Sequence, residues 1–473
     1  MRIIYFMMAG VFCSAILASC TLYEKPDVPA VKTPDHFKVP LKPIKITDAG
    51  IKNNWWENFG DNQLNQLVNT GIKNNTSYLV ALKNIDIAAT YVSQNYSGLF
   101  PQVNAGYNLT RNSSNPALVG ALGNSVSSRP DYNLQELTGT VSYEVDVWNQ
   151  IRNSVKQAQA NQSTSVADAN IVKLALITSI VQTYYQIMTL DANINNLHQQ
   201  YAVASQIVHI YSTQFHSGLI DASAVDNARN VMETANITIA QLQAQKQVLE
   251  YTLAYLTGDY PEDFNPEIKN NLNTFNTQKL IPANMSSTMI ANRPDVQAAY
   301  FQILSFGYVE KQNIANFLPA ISLTGTYGYA STALSGLVSA ANSYWNFGVF
   351  ATQFVFDYQT RMSEYNRSKY QYQSAILSYR DALLNSFNEV DSALITYKED
   401  DESLRAYQAQ VTNYQDLAKL SSSQFKAGLV DYSIYLTSEL NALQSSYNLA
   451  SHKQVIIQDV IQVYKTLGLG VNC

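Results

Sequence analysis

The chain has 473 residues, of which only 14% are charged and 32 are tyrosines, and its net charge at pH 7 is −6. This balance excludes a nucleic-acid-binding protein, which needs a basic face. A weakly charged surface that is rich in Tyr, Asn and Gln is instead typical of a protein that meets both water and a membrane interface.

The first twenty residues predict an export signal. Arg2 is followed by a short apolar stretch that ends at Leu17-Ala18-Ser19-Cys20, and we assign residues 1–19 to a lipoprotein signal peptide that takes no part in the fold. This ending resembles the lipobox of bacterial lipoproteins, in which the Cys, here Cys20, becomes the lipidated first residue of the mature chain. The alternative is an ordinary cleaved signal with a chance Cys. Acyl chains on Cys20 would anchor the protein without a transmembrane helix.

The remaining cysteines and apolar stretches indicate where in the cell the protein is located. Only Cys473 follows Cys20, so the mature chain has no pair of cysteines for an intrachain disulfide. No later stretch reaches about 18 uninterrupted apolar residues, so we expect no membrane-spanning helix. Residues 20–60, with a Pro-rich run, predict a lipidated and extended N-terminal tether. Such a chain is expected at the outer membrane of a Gram-negative cell, from which it extends into the periplasm.

An internal duplication organises the rest of the chain. The segment "QFHSGLIDASA" begins at Gln214, and "QFKAGLVDYSI" begins at Gln424. Repeats on this scale indicate either a duplicated domain or one architecture made of two halves. We predict repeat 1 over residues 61–258, a linker at the equatorial region over 259–278, and repeat 2 over 279–470.

Each repeat is predicted to run helix, strand, strand, long helix, helix. The helix over 62–98 ends before a proline, and alternating apolar and polar residues then predict strands. The alternation covers "QVNAGYNLT", residues 137–147 and residues 321–329, with a less regular fourth strand in "YWNFGVFATQF". Strands of about ten residues with one apolar face are typical of a membrane β-barrel. A soluble antiparallel sheet shows the same alternation.

The helices that follow the strands predict an elongated bundle. Residues 150–216 contain no Pro or Gly, so they can form one helix of roughly 100 Å at about 1.5 Å per residue. Apolar residues then recur every seven positions from Val225 and again from Leu436. A seven-residue repeat predicts coiled-coil packing. Four strands cannot close a barrel, and an open sheet edge in lipid is costly, whereas three chains would supply twelve strands.

Several motifs, taken in order, resemble the outer membrane factor family, the TolC and OprM/NodT type of efflux channel. They are "WWENFGDNQLNQLV" from Trp55, "NNTSYLVAL", "YEVDVWNQIRN", "NRPDV" and the two Gly-Leu-aliphatic-Asp turns. The resemblance covers nearly the whole mature chain. The lipobox and the Trp-Trp motif are more similar to the lipoprotein branch than to unlipidated protein-secretion channels, and the two tryptophans themselves are expected in the core.

The resemblance implies an α+β membrane protein that acts as a homotrimer. Each chain would give four strands to a twelve-strand β-barrel in the outer membrane, continued by a twelve-helix α-barrel of long coiled-coil helices. The implied function is the outer membrane channel of a tripartite efflux system. It would pass drugs or other small molecules from an inner-membrane pump, typically proton-driven, and a periplasmic adaptor to the outside, without a cofactor.

The resemblance also assigns roles to residues near the duplicated turns. Gly218, Leu219, Gly428 and Leu429 would form the two periplasmic hairpin tips on which an adaptor docks; the alternative is a plain helix C-cap with no partner. Candidates for the pore constriction are Asp226, Phe425, Ser433 and Thr437. Thr437 departs from the family pattern, in which this position is commonly acidic, so the sequence does not predict a tight acidic ring. Asp221 and Asp431 are expected to cap the returning helices.

Two other classes of protein were weighed. An enzyme is not expected, because His209 and His216 lack the further ligands of a metal site, and Glu144 and Asp146 have no pocket motif around them. We therefore predict no catalytic residue, metal or cofactor. The second hypothesis is a lipid-anchored periplasmic coiled-coil scaffold or adaptor without a pore. It would keep the lipid anchor and the heptads, but it has no use for lipid-facing strands.

Overall fold

The structure is a computed structural model that describes residues 24–34, 36–38, 54–113, 131–264, 268, 287–356 and 358–471. The predicted signal peptide, Cys20, Cys473 and most of the predicted linker lie outside the described residues, so the structure does not bear on them. Cis peptide bonds are absent from the described part of the chain.

The described residues form seven α-helices and four β-strands. In chain order they are α1 (Asn62–Asn74), α2 (Thr76–Ser97), β1 (Gln102–Ser113), β2 (Asp131–Glu144), α3 (Gln150–His216), α4 (Ala222–Thr257), α5 (Pro294–Ala315), β3 (Ala320–Ser331), β4 (Ser343–Thr352), α6 (Tyr358–Lys426) and α7 (Tyr432–Thr466). Helix, strand, strand, long helix and returning helix therefore follow one another twice.

Two predicted boundaries differ from the observed ones. The helix predicted over 62–98 is two helices, because Asn75 adopts an extended conformation and its side chain accepts the N–H of Tyr78 at 3.1 Å. The strand predicted over 137–147 runs from Asp131 to Glu144. It ends early because both carboxylate oxygens of Asp146 accept backbone N–H groups at the start of α3, which caps that helix.

The four strands form one antiparallel sheet in the order β1-β2-β3-β4. The register joins residues of equal parity: Val103 pairs with Val141, Val141 with Gly325, and Gly325 with Phe347. Because successive side chains of a strand point to opposite faces, all odd-numbered residues of the sheet share one face and all even-numbered residues share the other.

The chain divides into two compact units. Unit 1 comprises the residues up to Ala30 together with Asp86–Thr164 and Ala299–Ser378, and it contains the sheet. Its buried apolar cluster is small and is centred on Ala160, Leu304 and Tyr308. Unit 2 comprises Val31–Ile85, Ser165–Ala298 and the residues from Tyr379 onwards.

Unit 2 contains the larger core. Residues of α3 between Leu176 and Met188 pack with residues of α7 between Ile456 and Tyr464 and with Trp55. One helix, Gln150–His216, has a segment that is long and apolar enough to cross a membrane by length and composition. Ile177, Ile180, Val181 and Tyr184 of that helix are fully buried in the core. The helix is therefore apolar because it packs in the core of unit 2.

A buried arginine connects three helices of unit 2 through hydrogen bonds. The guanidinium of Arg293 donates to both carboxylate oxygens of Asp295 at 3.0 and 2.7 Å, to Glu389 at 2.7 Å and to the carbonyl of Thr466 at 2.6 Å. A bidentate pair with further hydrogen bonds satisfies a buried guanidinium. Arg293 therefore joins the start of α5, the middle of α6 and the end of α7.

Replacing Trp55 by Ala is expected to destabilise unit 2 strongly. Trp55 is fully buried, stacks on Tyr464 with 4.9 Å between ring centroids, and donates its indole N–H to the carbonyl of Leu469 at 3.1 Å. Loss of a buried Trp side chain costs about 3–5 kcal/mol. Thermal unfolding followed by helical circular dichroism measures the effect. Trp345→Ala, at an exposed position of β4, is the matched control, and equal shifts in the two variants would contradict the assigned core.

The channel faces and the hairpin tips

The odd-numbered face of the sheet is apolar and exposed. Its exposed large side chains come from all four strands: Val103, Tyr107, Leu109, Leu137, Val141, Tyr327, Trp345, Phe347 and Val349. The side chain of Trp345, for example, is 75% exposed. Contiguous exposed apolar surface of this kind marks contact with a membrane or another protein, and in alternating strands it is the lipid-facing band of a barrel.

The even-numbered face of the same sheet is polar. Across the middle of the sheet it reads Asn104, Thr140, Thr326 and Asn346 in one register row. Small hydroxyl and amide side chains hydrogen-bond to water without charge. The two faces of the sheet are therefore suited to lipid on one side and water on the other.

The two long helices end in the same turn. Gly218 after α3 has φ of +73° and Gly428 after α6 has φ of +72°. In both turns the N–H of the following leucine donates to the carbonyl five residues earlier at 2.9 Å. A side chain at either glycine would meet no atom within 4 Å, so the left-handed backbone, rather than a lack of space, favours Gly here.

The residue after each glycine is an exposed leucine. Leu219 is 74% exposed and Leu429 is 73% exposed. In an ordinary C-cap the apolar residue that follows the glycine packs back on its own helix. These two leucines project into solvent instead, which leaves two equivalent apolar points at the turns of the hairpins α3–α4 and α6–α7.

An aspartate starts each returning helix. Asp221 accepts the N–H of Ala224 at 3.2 Å and the hydroxyl of Ser223, and Asp431 accepts the N–H of Ser433 at 2.8 Å. The hydrogen bonds from Ser223 and Ala224 lower the pKa of Asp221, and the backbone N–H of Ser433 lowers the pKa of Asp431. Both residues are the N-caps of their helices.

The four constriction candidates lie in different surroundings. Asp226 is exposed and forms an ion pair with Arg229 at 3.1 Å, which balances its charge. Thr437 is exposed and donates its hydroxyl to the carbonyl of Ser433 at 2.8 Å. Ser433 itself is buried, so within one chain its side chain has no access to a lumen. Phe425 is partly exposed and packs among aromatic side chains.

Aromatic side chains link α6 to the start of α7 and to the other hairpin. The ring of Phe425 lies 4.6 Å from that of Tyr432 and 6.4 Å from that of Tyr435. The hydroxyl of Tyr432 donates to the side-chain oxygen of Gln206 on α3 at 3.2 Å. The sequence motifs did not single out Tyr432, Tyr435 or Gln206. Tyr432 and Tyr435 lie just across the turn from Phe425, whereas the contact of Tyr432 with Gln206 joins helices that are distant in the chain and leaves no periodic signal.

A pair of aspartates lies between α6 and α7 in unit 2. Asp459 is partly buried against Asp400, and its Oδ2 atom is buried with no donor among the described residues. Two carboxyl groups hydrogen-bond to each other only when one of them carries a proton. Burial, followed by the neighbouring Asp400, raises the pKa of Asp459 to about 7. A sequence signal was available, since Asp459 interrupts the apolar run from Ile456 to Ile461.

We expect stability to fall as pH rises from about 4 to about 7. The folded chain keeps the proton of Asp459 at pH values at which the unfolded chain, with an ordinary Asp pKa of about 3.9, has released it. The loss is about 2 kcal/mol after solvent screening. Asp459→Asn imitates the protonated form and should flatten the dependence of the unfolding temperature on pH. Parallel curves for the two proteins would contradict the shared proton.

Metal-binding geometry is absent from the described residues, in which no three His, Cys, Asp or Glu side chains come together. Neither Glu144 nor Asp146 contributes to such a group, and Asp146 is occupied by the cap of α3.

Comparison with known proteins agrees with this geometry. The family model of the outer membrane efflux protein matches residues 67–259 and 285–469. The chain is 23% identical over 470 residues to the cation efflux system protein CusC of Escherichia coli K12, covering 97% of this chain and 98% of CusC. It is 24% identical over 463 residues to the probable efflux pump outer membrane protein TtgC of Pseudomonas putida, covering 96% of this chain and 93% of TtgC.

Solved structures show the same fold. The crystal structure of the Campylobacter jejuni CmeC outer membrane channel superposes with a TM-score of 0.84 at 24% identity and covers 95% of both chains. Because the family model matches both repeats and the strands present one apolar and one polar face, the chain belongs to the outer membrane efflux protein family.

Proposed function

We propose that three copies of this chain form the outer membrane channel of a tripartite efflux system. The channel passes drugs or other small molecules from a proton-driven inner-membrane pump, through a periplasmic adaptor, to the outside, and it performs no catalysis. The observation that carries this proposal is the exposed apolar face that all four strands share. The periplasmic scaffold without a pore leaves that face unexplained.

The edges of the sheet support the assembly of several chains. Among the described residues, β1 and β4 each pair on one side only, and unpaired backbone groups are not tolerated in lipid. If β4 of one chain pairs with β1 of the next, a closed barrel results. Two chains would give eight strands, which enclose just enough space for their own side chains. Three chains give twelve strands and leave a passage.

Exposed apolar residues on the helices also call for neighbouring chains. Tyr370, Leu377 and Leu384 follow one another at intervals of seven on α6, and all three are exposed. Val248 and Tyr255 repeat the pattern on α4. A row with this spacing is the seam of a coiled coil, and it is stable in water only when another helix covers it.

Two further parts of the proposal concern attachment. Cys20 carries the acyl chains that hold the protein to the inner leaflet of the outer membrane, as its lipobox-like context indicates. Leu219 and Leu429 are the points on which the adaptor docks, which their exposure supports. Relatives are named for cation efflux and for an efflux pump, so we assign the choice of cargo to the pump rather than to the channel.

The native mass of the unheated protein tests the proposal. The chain is expressed with Cys20→Ser to remove the contribution of the lipid, and is extracted from the membrane. We expect it to require detergent, to run as a trimer, and to become a monomer on heating.

A Cys20→Ser chain that is released as a soluble monomer would overturn the channel, because four strands alone cannot remain in a membrane. The scaffold hypothesis would then replace it. A detergent-dependent dimer or tetramer would overturn the twelve-strand barrel while keeping the membrane location.

A further inference from the structure

The charges on the polar face of the sheet are of one sign. Among the described residues, the even-numbered positions of the four strands hold two carboxylates, Glu136 and Glu144, and no Lys or Arg. The register places Glu136 beside Asn108 and Ala330, and Glu144 beside Ser322. The charged residues Arg111 and Asp131 belong to the odd-numbered face, where they pair with each other at 3.5 Å.

Glu144 lies in a crevice of unit 1. A crevice of about 660 Å³ in unit 1 is lined by Glu144 together with Gln94, Asn95, Gln102 and Ser154. Amide and hydroxyl side chains supply oxygen atoms to a cation without adding charge of their own. Among the residues that the structure describes, Glu144 is the only charged side chain that lines this crevice, to which Phe100 and Ile151 add apolar surface.

The acidic residues near the hairpin tips are engaged elsewhere. Asp221 and Asp431 hold the N–H groups that start their helices. Asp226 is paired with Arg229, and Thr437 is a neutral hydroxyl that bonds to its own helix. The hydrogen bonds of Asp221 and Asp431 hold their carboxylates at the helix starts, and position 437 adds no charge, so these positions do not supply a ring of free carboxylates.

We infer that Glu136 and Glu144 on the strands, rather than any residue of the hairpin tips, give the channel its preference for small cations over anions. This inference rests on the proposed trimeric barrel, in which the even-numbered face lines the lumen. Each position then contributes a ring of three carboxylates, and rings of like charge select permeating ions through their field.

The two rings act separately. Eight residues of a strand separate Glu136 from Glu144, a distance of about 27 Å at 3.4 Å per residue. The Debye length is about 8 Å at physiological ionic strength and about 3 Å at 1 M salt. Neutralising one ring should therefore leave the other effective, and the preference of the channel should weaken as salt rises.

Ion selectivity in planar bilayers tests the inference. The purified trimer is placed in a KCl gradient, and the reversal potential gives the permeability ratio of K⁺ to Cl⁻. We expect Glu136→Gln and Glu144→Gln each to lower this ratio about twofold at 0.1 M salt, and the double variant to bring it close to one. Asp131→Asn is the matched carboxylate control on the odd-numbered face, and it should leave the ratio unchanged, whereas Asp226→Asn tests the hairpin tip as the competing source of selectivity.

The outcomes separate the two proposals. A double variant that conducts with the selectivity of the natural chain would overturn the inference, and so would a loss of selectivity in Asp226→Asn alone. A natural chain that forms no conducting pore would overturn the proposed function, and with it the lumen on which the inference depends.

Discussion

Val141→Arg is expected to abolish assembly in the outer membrane, while Thr140→Arg, one residue earlier, leaves it intact. Val141 lies on the apolar face between Val103 and Gly325, and Thr140 lies on the polar face between Asn104 and Thr326. An Arg on the lipid side of a barrel costs about 2–4 kcal/mol near mid-depth. A homotrimer incurs that cost three times, whereas an Arg in a water-filled lumen stays hydrated.

The amount of heat-labile trimer in outer membrane fractions measures this difference. Thr140→Arg is the matched control, because it introduces the same side chain in the same strand at nearly the same depth. Loss of the trimer in both variants would mean that the strand tolerates no large residue, and would remove the evidence for two faces. Normal assembly of both variants would contradict a lipid-facing band.

The fold class could be predicted from the sequence because its main signals are periodic. Alternation with period two identified three strands and a weaker fourth, and absence of Pro and Gly identified α3. Family and structural comparisons confirm the efflux channel fold. The sequence did not predict the first residues of β2, because Asp131, Asn133 and Gln135 place polar side chains on the otherwise apolar face. There Gln135 accepts the hydroxyl of Tyr107 at 2.9 Å.

The local structure of the hairpin tips was predictable where the sequence repeats, and it was unpredictable where it depends on contacts between side chains. The turns at Gly218 and Gly428 were identified because the chain carries the same motif twice, and their positive φ angles favour Gly. The partner of Asp459 comes from a helix far away in the sequence, and the partners of Phe425 lie across the turn of its own hairpin. The ion pair of Asp226 with Arg229 joins residues three positions apart on one helix, so its spacing was visible in the sequence, although the sequence analysis did not use it.

The arrangement in which all odd-numbered residues share one face of the sheet could be predicted only in part. Each strand alone predicts an apolar and a polar side, but only the register shows that the apolar sides coincide. A one-residue slip between two strands would move every side chain of one of them to the other face. The continuous lipid-facing band therefore depends on the register as much as on composition, and the same register isolates the two glutamates on the polar face.

The second large effect is expected at the hairpin tips. Replacing Leu219 and Leu429 together by Asp should abolish efflux, so that drug susceptibility matches that of a strain lacking the channel. Both leucines are exposed at turns whose backbone is fixed by glycine, so the changes should not disturb folding. They remove two apolar anchors per chain and place carboxylates where a partner would have to desolvate them.

Three measurements make this result specific to docking. The double variant should show a normal amount of heat-labile trimer and normal K⁺ to Cl⁻ selectivity, because its barrel is untouched. Ile237→Asp changes an exposed apolar residue in the middle of α4, and it should retain efflux if the tips alone receive the adaptor. Efflux that persists in the double variant at normal trimer levels would show that the partner docks elsewhere and that the two turns serve only as helix ends.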